Sequence, residues 1–149
     1  MRKSPGNTWM VMLFTLTAGT TARRRKGKDM PWIYHQSTGE LWHNGTLKGR
    51  GYSGVLTNKN NPDRQQVKGM GPLPRGTYHI AGHNSSISPM TIILVQTSGE
   101  NYGRAGFRIH GERRPPAIPG FASEGCIIMW PYVRSQVIMS HDRTLEVVR

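Results

Sequence analysis

The chain has a single cysteine, at position 126, so no disulfide can form within it and cysteine usage does not reveal a redox compartment. It has no CxxC or HExxH spacing, and a lone thiol with 6 scattered histidines makes a poor zinc set, so no metal is expected. No apolar run approaches the ~20 residues that a bilayer-spanning helix needs, so no stable membrane span is expected. Acidic residues are scarce, 8 against 20 Lys and Arg, which leaves a net charge of +12. Such a field attracts polyanions, whether nucleic acid, anionic lipid or an acidic cell-wall polymer. No RNP, zinc-finger or helix-turn-helix pattern accompanies it, so nucleic acid is not an expected partner. There is no internal repeat.

What is present suits one domain with a sizeable core: 149 residues, 36% of them apolar. Gly 18 and Pro 10 favour turns and short strands over long helices. Half of the net charge falls in the first 29 residues, where Arg2, Lys3, Arg23, Arg24, Arg25, Lys26 and Lys28 face only Asp29. That stretch has a charged start, a short apolar run from Trp9 to Leu16 and small residues at Thr20 and Ala22, as in a secretory signal. RRRKGK directly behind the apolar run opposes translocation, and an extension upstream of a domain starting at Met30 is the other reading. In both cases residues 1–29 stand outside the fold and residues 30–149 form the domain.

The body reads as mainly β. Trp32, Ile33 and Tyr34 form a strand-like run, Ser37-Thr38-Gly39 a turn, and Leu41 and Trp42 a return strand ahead of the hairpin signal Asn44-Gly45. Residues 58–76 form a long polar loop without helical period. GTYHIAG gives a short strand, and TIILVQT, residues 91–97, is the best candidate for a fully buried one. GFRIHG is another, with His110 at its C-terminal end. Pro131 suits a helix first turn, and a partial apolar stripe carries one short helix to about Ser140. DRTLEVVR closes the chain as a strand.

The residues that point to chemistry lie between 107 and 130. A free cysteine is often just a small buried hydrophobe. Around Cys126, however, Gly125 leaves room for a carbonyl to approach, and Ser123-Glu124-Gly125 is turn-like, so successive N–H groups can converge as an oxyanion hole. His110, if near, can take the thiol proton. His precedes Cys, the reverse of the papain-like order. The other histidines, 35, 43, 79, 83 and 141, read as surface or strand residues.

His-Gly, a variable loop, then Ser-x-Gly-Cys and an apolar residue resembles the active-site signature of the L,D-transpeptidase catalytic domain. GPLPRGTYHI is similar to that family's Pro-x-Gly-x-aromatic strand entry, with Pro74, Gly76 and Tyr78 in place. The ordered pattern from Met30 onward (WIY, QSTG, HNG, GYSG, NNP, GFRIHG, SEGCI, DRTLEVV) resembles the type VI secretion effector branch of that family, over about 120 of the 149 residues.

The resemblance implies an L,D-transpeptidase-like β-sandwich in which Cys126 is the nucleophile and His110 its base. Gly111 and Ser123 match motif positions, and Gly125 and Cys126 would supply oxyanion donors. It implies attack on the diaminopimelate–D-alanine bond of peptidoglycan tetrapeptide stems, with hydrolysis or transfer to an amine following, and chemistry that needs no metal or organic cofactor. It also implies action in the periplasm, and an immunity partner if the protein is an antibacterial toxin. Two residues depart from the pattern. Many relatives carry arginine two positions after the cysteine, where this chain has Ile128. Arg108, on the His110 side of its strand by period two, is the substitute expected to bind substrate, although an ordinary exposed strand charge would look the same. Glu124 stands where relatives are often neutral or basic, and a carboxylate beside the thiol raises its pKa. The loop GERRPPAIPGFA bridges two strands, and Ile118 and Phe121 are expected to pack near substrate as a wall of the cleft. A non-catalytic peptidoglycan-binding module on the same fold is the competing expectation.

Overall fold

A computed structural model describes residues 30–149. The signal and extension readings of residues 1–29 fall outside the described residues. Pro31–Arg149 forms a compact unit. Nine strands follow in chain order: β1 Trp32–His35, β2 Glu40–His43, β3 Thr46–Arg50, β4 Tyr52–Ser53, β5 Gly76–Asn84, β6 Thr91–Ser98, β7 Arg108–His110, β8 Ile127–Ile128 and β9 Thr144–Val148. One α-helix, α1 at Pro131–Met139, lies between β8 and β9.

The strands form one sheet in the order β3-β2-β1-β9-β5-β6-β7-β8-β4. The outermost strands, β3 and β4, are consecutive in the chain and separated only by Gly51. A sheet whose two edges are joined by one residue must curl back on itself, and the curl encloses the core. The expected mainly β architecture with one short C-terminal helix is what forms.

Local chemistry explains most boundaries. Asn44 and Gly45 have φ of 52° and 75°, the left-handed pair a two-residue hairpin turn requires between β2 and β3. In β1, Trp32 and Tyr34 point inward while Ile33 and His35 are half-buried, the period-two pattern of a strand with one covered face. Pro131 opens α1, whose Val133 and Val137 are fully buried. Tyr78 meets Phe107 edge-on at 5.7 Å in the core, and its hydroxyl donates to the Pro74 carbonyl.

Two expectations need correction. The strand at 91–97 is not buried throughout: Thr91, Ile92 and Leu94 are, but Val95 is 49% exposed. The strand runs past the core, and its outward face meets water as antiparallel strands commonly do. The polar segment 58–76, expected to lack helical period, begins at the end of one short 3-10 turn, Leu56–Asn58, and contains a second, Pro62–Arg64. It is tied down by a buried amide network. Gln36 Nε2 donates to Gln65 Oε1 at 3.1 Å and to the Leu73 carbonyl at 2.8 Å, and Arg75 Nη1 donates to Gln36 Oε1 at 2.9 Å.

Candidate active site

The strands β7 and β8 are parallel neighbours, with Ile109 opposite Ile127 and His110 opposite Ile128. Two adjacent parallel strands cannot be joined by a tight turn. Residues 111–126 make the required return, which is why the histidine and cysteine stand so far apart in sequence. Cys126 directly precedes β8, and its thiol donates to the Gly106 carbonyl at 3.9 Å. By period two, Arg108, His110, Cys126 and Ile128 share one face of the sheet. His110 and Cys126 therefore open to the same side. Both line one cleft of about 1510 Å³, together with Arg108, Gly111, Glu124 and Ile128.

His110 is 4% exposed, and its Nδ1 lies 2.9 Å from the Gly111 carbonyl oxygen. A carbonyl only accepts, so Nδ1 carries the proton and Nε2 keeps its lone pair for the cleft. Burial lowers the His110 pKa; the charges of Arg134, Arg108 and Arg113 lower it further, and the Gly111 carbonyl opposes them. Burial raises the Cys126 pKa, and Glu124 adds to the rise. The Arg108 N–H, the Arg108 charge and Arg104 work against it. The resting pair is therefore a neutral imidazole beside a neutral thiol. That arrangement suits proton transfer during attack rather than a standing thiolate–imidazolium pair.

The turn ahead of the cysteine is built by hydroxyl groups. Ser123 Oγ, 1% exposed in its residue, donates to the Cys126 carbonyl at 2.6 Å and accepts from the N–H groups of Gly54 at 2.8 Å and Gly125 at 3.2 Å. Ser53 Oγ donates to the same Cys126 carbonyl at 3.0 Å and accepts from Leu73 N–H. Ser123 thus holds the backbone of the turn and not the sulfur. The Gly125 N–H is taken by Ser123, which leaves Cys126 N–H of the two donors expected for an oxyanion. Gly125 has φ of 124°, and a Cβ there would overlap Arg104 Nη2.

Arg104 is 5% exposed and sits beneath this turn, donating to the carbonyls of Gln65, Pro72 and Gly71. Sequence inspection gave no sign of it: a single arginine among glycines, 22 positions from the cysteine, looks like a loop charge. Arg134, from α1, is also missed. It is 4% exposed, and a Cβ on Gly111 would lie 2.9 Å from its Nη1 and 3.0 Å from its Nη2. Gly111 is therefore the gap through which this guanidinium reaches the cleft beside His110. Arg108 lines the cleft with His110 and bonds the Gly106 carbonyl at 3.0 Å. The loop after His110 is held by Glu112, which accepts from the Tyr52 hydroxyl at 2.8 Å and from Gly120 N–H at 2.9 Å. Pro119 and Ala122 of that loop form cleft wall. Phe121, between them, is 45% exposed with its ring 5.9 Å from Lys59 Nζ, and Ile118 is 71% exposed; neither lines the cleft. Among the described residues no cluster of His, Cys, Asp and Glu could hold a metal, and no helix is long and apolar enough to cross a membrane.

A family model described as the Tlde1 domain matches residues 48–148, the span that contains β4 to β9, the cleft, His110 and Cys126. Among curated proteins, no sequence matches the chain. Among solved structures, the chain is similar to the crystal structure of a cysteine-to-serine variant of the Enterococcus faecium L,D-transpeptidase, at 14% identity and TM-score 0.48. It is also similar to the Ldtfm–avibactam carbamoyl enzyme, at 14% and 0.47, and to the E. faecium L,D-transpeptidase catalytic domain acylated by ertapenem, at 15% and 0.42. The alignments cover 89%, 89% and 83% of this chain and 58%, 57% and 100% of those chains, so the chain spans little more than half of the first two. Likeness this distant carries no inference about chemistry.

Proposed function

The chain belongs to the Tlde1-domain family, the type VI secretion L,D-transpeptidase effector family, and from that membership we propose that it cleaves or exchanges the terminal D-alanine of peptidoglycan tetrapeptide stems, with Cys126 as nucleophile. The observation that supports this reading is that Cys126 and an Nδ1-anchored His110 line the same cleft. Cys126 Sγ attacks the diaminopimelate carbonyl carbon as His110 Nε2 takes the thiol proton. The oxyanion forms against Cys126 N–H. His110 then returns the proton to the departing D-alanine nitrogen as the carbon–nitrogen bond breaks, leaving a thioester. Attack by water regenerates the thiol and releases a tripeptide stem; attack by an amine gives a crosslink or an exchanged D-amino acid. Five cleft arginines against two glutamates favour an anionic substrate. On this reading the protein acts in the periplasm of its own or a rival cell, and a toxin role brings a cognate immunity protein.

The test is incubation of the full chain with tetrapeptide muropeptides, with and without free D-amino acids, followed by mass spectrometry. Loss or exchange of one D-alanine by wild type, but not by Cys126→Ala or His110→Ala, is the expected result. Intact stems with folded wild type would leave the non-catalytic binding module. That alternative draws on the raised Cys126 pKa and on the Gly125 N–H being already engaged.

A further inference from the structure

Two arginines are buried beside the site, and they are satisfied very differently. Arg104 donates to three backbone carbonyls, which accounts for its burial. Arg134 has five N–H donors and makes one long bond, from Nη1 to the Met129 carbonyl at 3.4 Å. Its Nε is buried without a partner, and among the described residues it forms no ion pair. A desolvated guanidinium left this way costs free energy unless an anion completes it. Burial lowers its pKa, as expected of a charge without compensation.

Its position tells which anion. The guanidinium lies against Gly111, next to His110, and lines the cleft. His110 is the group that hands a proton to the departing amine. In a leaving D-alanine, that nitrogen and the carboxylate are attached to the same carbon. A cation beside the proton donor is therefore placed on the leaving-group side of the scissile bond. We infer that Arg134 binds the α-carboxylate of the leaving C-terminal residue, making the enzyme selective for stems that end one residue after the scissile carbonyl. It supplies from α1 the cation that Ile128 does not provide two positions after the cysteine. This rests on the proposed acyl-transfer reading of the site.

The test compares the full chain with Arg134→Met and Arg134→Lys on two donors: a tetrapeptide muropeptide ending in D-alanine and the same stem ending in D-alaninamide. Wild type is expected to favour the free carboxylate by roughly 10²-fold in kcat/KM, the scale of losing one partner of a buried charge pair. Arg134→Met should lose about that factor on the carboxylate donor and change little on the amide, while Arg134→Lys recovers part of it. The melting temperature of Arg134→Met should match or exceed wild type, because an uncompensated buried charge is gone. Equal losses on both donors would overturn the inference and leave Arg134 acting through His110 or through folding. So would sensitivity to amidation of the diaminopimelate carboxylate instead. If wild type releases nothing from either donor, the acyl-transfer reading fails by itself. The carboxylate site is then judged on Cys126→Ala by the NMR signal of Arg134 Nε–H. A shift on adding N-acetyl-D-alanine but not its amide supports the site, and no shift refutes it.

Discussion

Replacing Gly125 with alanine should damage both the fold and the site, by an amount the structure allows to be worked out. Gly125 holds φ of 124°, where an L side chain is strained by about 1–3 kcal/mol. The new methyl would also overlap Arg104 Nη2. The end of an arginine usually moves aside cheaply, but this one is pinned by the carbonyls of Gln65, Pro72 and Gly71. Moving it sacrifices at least one charge-assisted hydrogen bond, about 1.5–3 kcal/mol. The two costs together come to roughly 2.5–6 kcal/mol, or a fall of roughly 10–25 °C in Tm for a domain of this size. Because Cys126 follows directly, a displaced turn should also lower kcat/KM by about 10²-fold or more. Thermal unfolding of wild type, Gly125→Ala, Arg104→Met and the double variant separates the two causes. With the guanidinium removed, the alanine should cost only backbone strain, so the double variant should be more stable than the sum of the singles predicts, by roughly 1.5–3 kcal/mol. Strict additivity, or a Gly125→Ala protein with wild-type Tm and activity, would refute the argument that Arg104 is what forbids a side chain at 125.

The neutral His110–Cys126 pair predicts a broad pH profile. The proposed mechanism uses unprotonated His110, whose pKa is lowered, so kcat/KM should fall with decreasing pH only below the ordinary histidine value of about 6.5. The Cys126 pKa is raised, so iodoacetamide should alkylate it more slowly at pH 7 than an exposed thiol, with the rate still climbing above the ordinary thiol range; strong thiolate absorbance at pH 7 would contradict this. Ser123→Ala removes the hydroxyl that joins Gly54, Gly125 and the Cys126 carbonyl, and should cost about 2–4 kcal/mol in chemical denaturation, with a loss of activity that an added nucleophile does not restore. Tyr34 is fully buried with no hydrogen-bond partner for its hydroxyl, and burial holds its pKa far above the usual range. Tyr34→Phe should therefore leave Tm unchanged or raise it, and a clear fall would mean that the hydroxyl does find a partner in solution.

The sequence was sufficient wherever the determining physics is local. Asn44-Gly45 specifies a left-handed turn by itself, Pro131 opens the helix, and the apolar run Trp32-Ile33-Tyr34 and the closing DRTLEVVR mark β1 and β9 as strands. His110 and Cys126 stood out because each sits in a short stretch of glycines and turn residues, and both line the same cleft. Only the tertiary structure decided what depends on residues far apart. The two-residue strand β8 is invisible as a pattern and exists because β7 and β4 hydrogen-bond to it from either side. Val95 is exposed because the strand outruns the core, a fact about its neighbours rather than its own composition. Arg108 could be placed on the His110 face by counting along one strand. Arg104 and Arg134 could not be singled out from the other charged residues, since what distinguishes them is burial. Burial is set by the curl of the whole sheet and the docking of α1, and whether a buried guanidinium is satisfied or left open depends on carbonyls contributed by other segments.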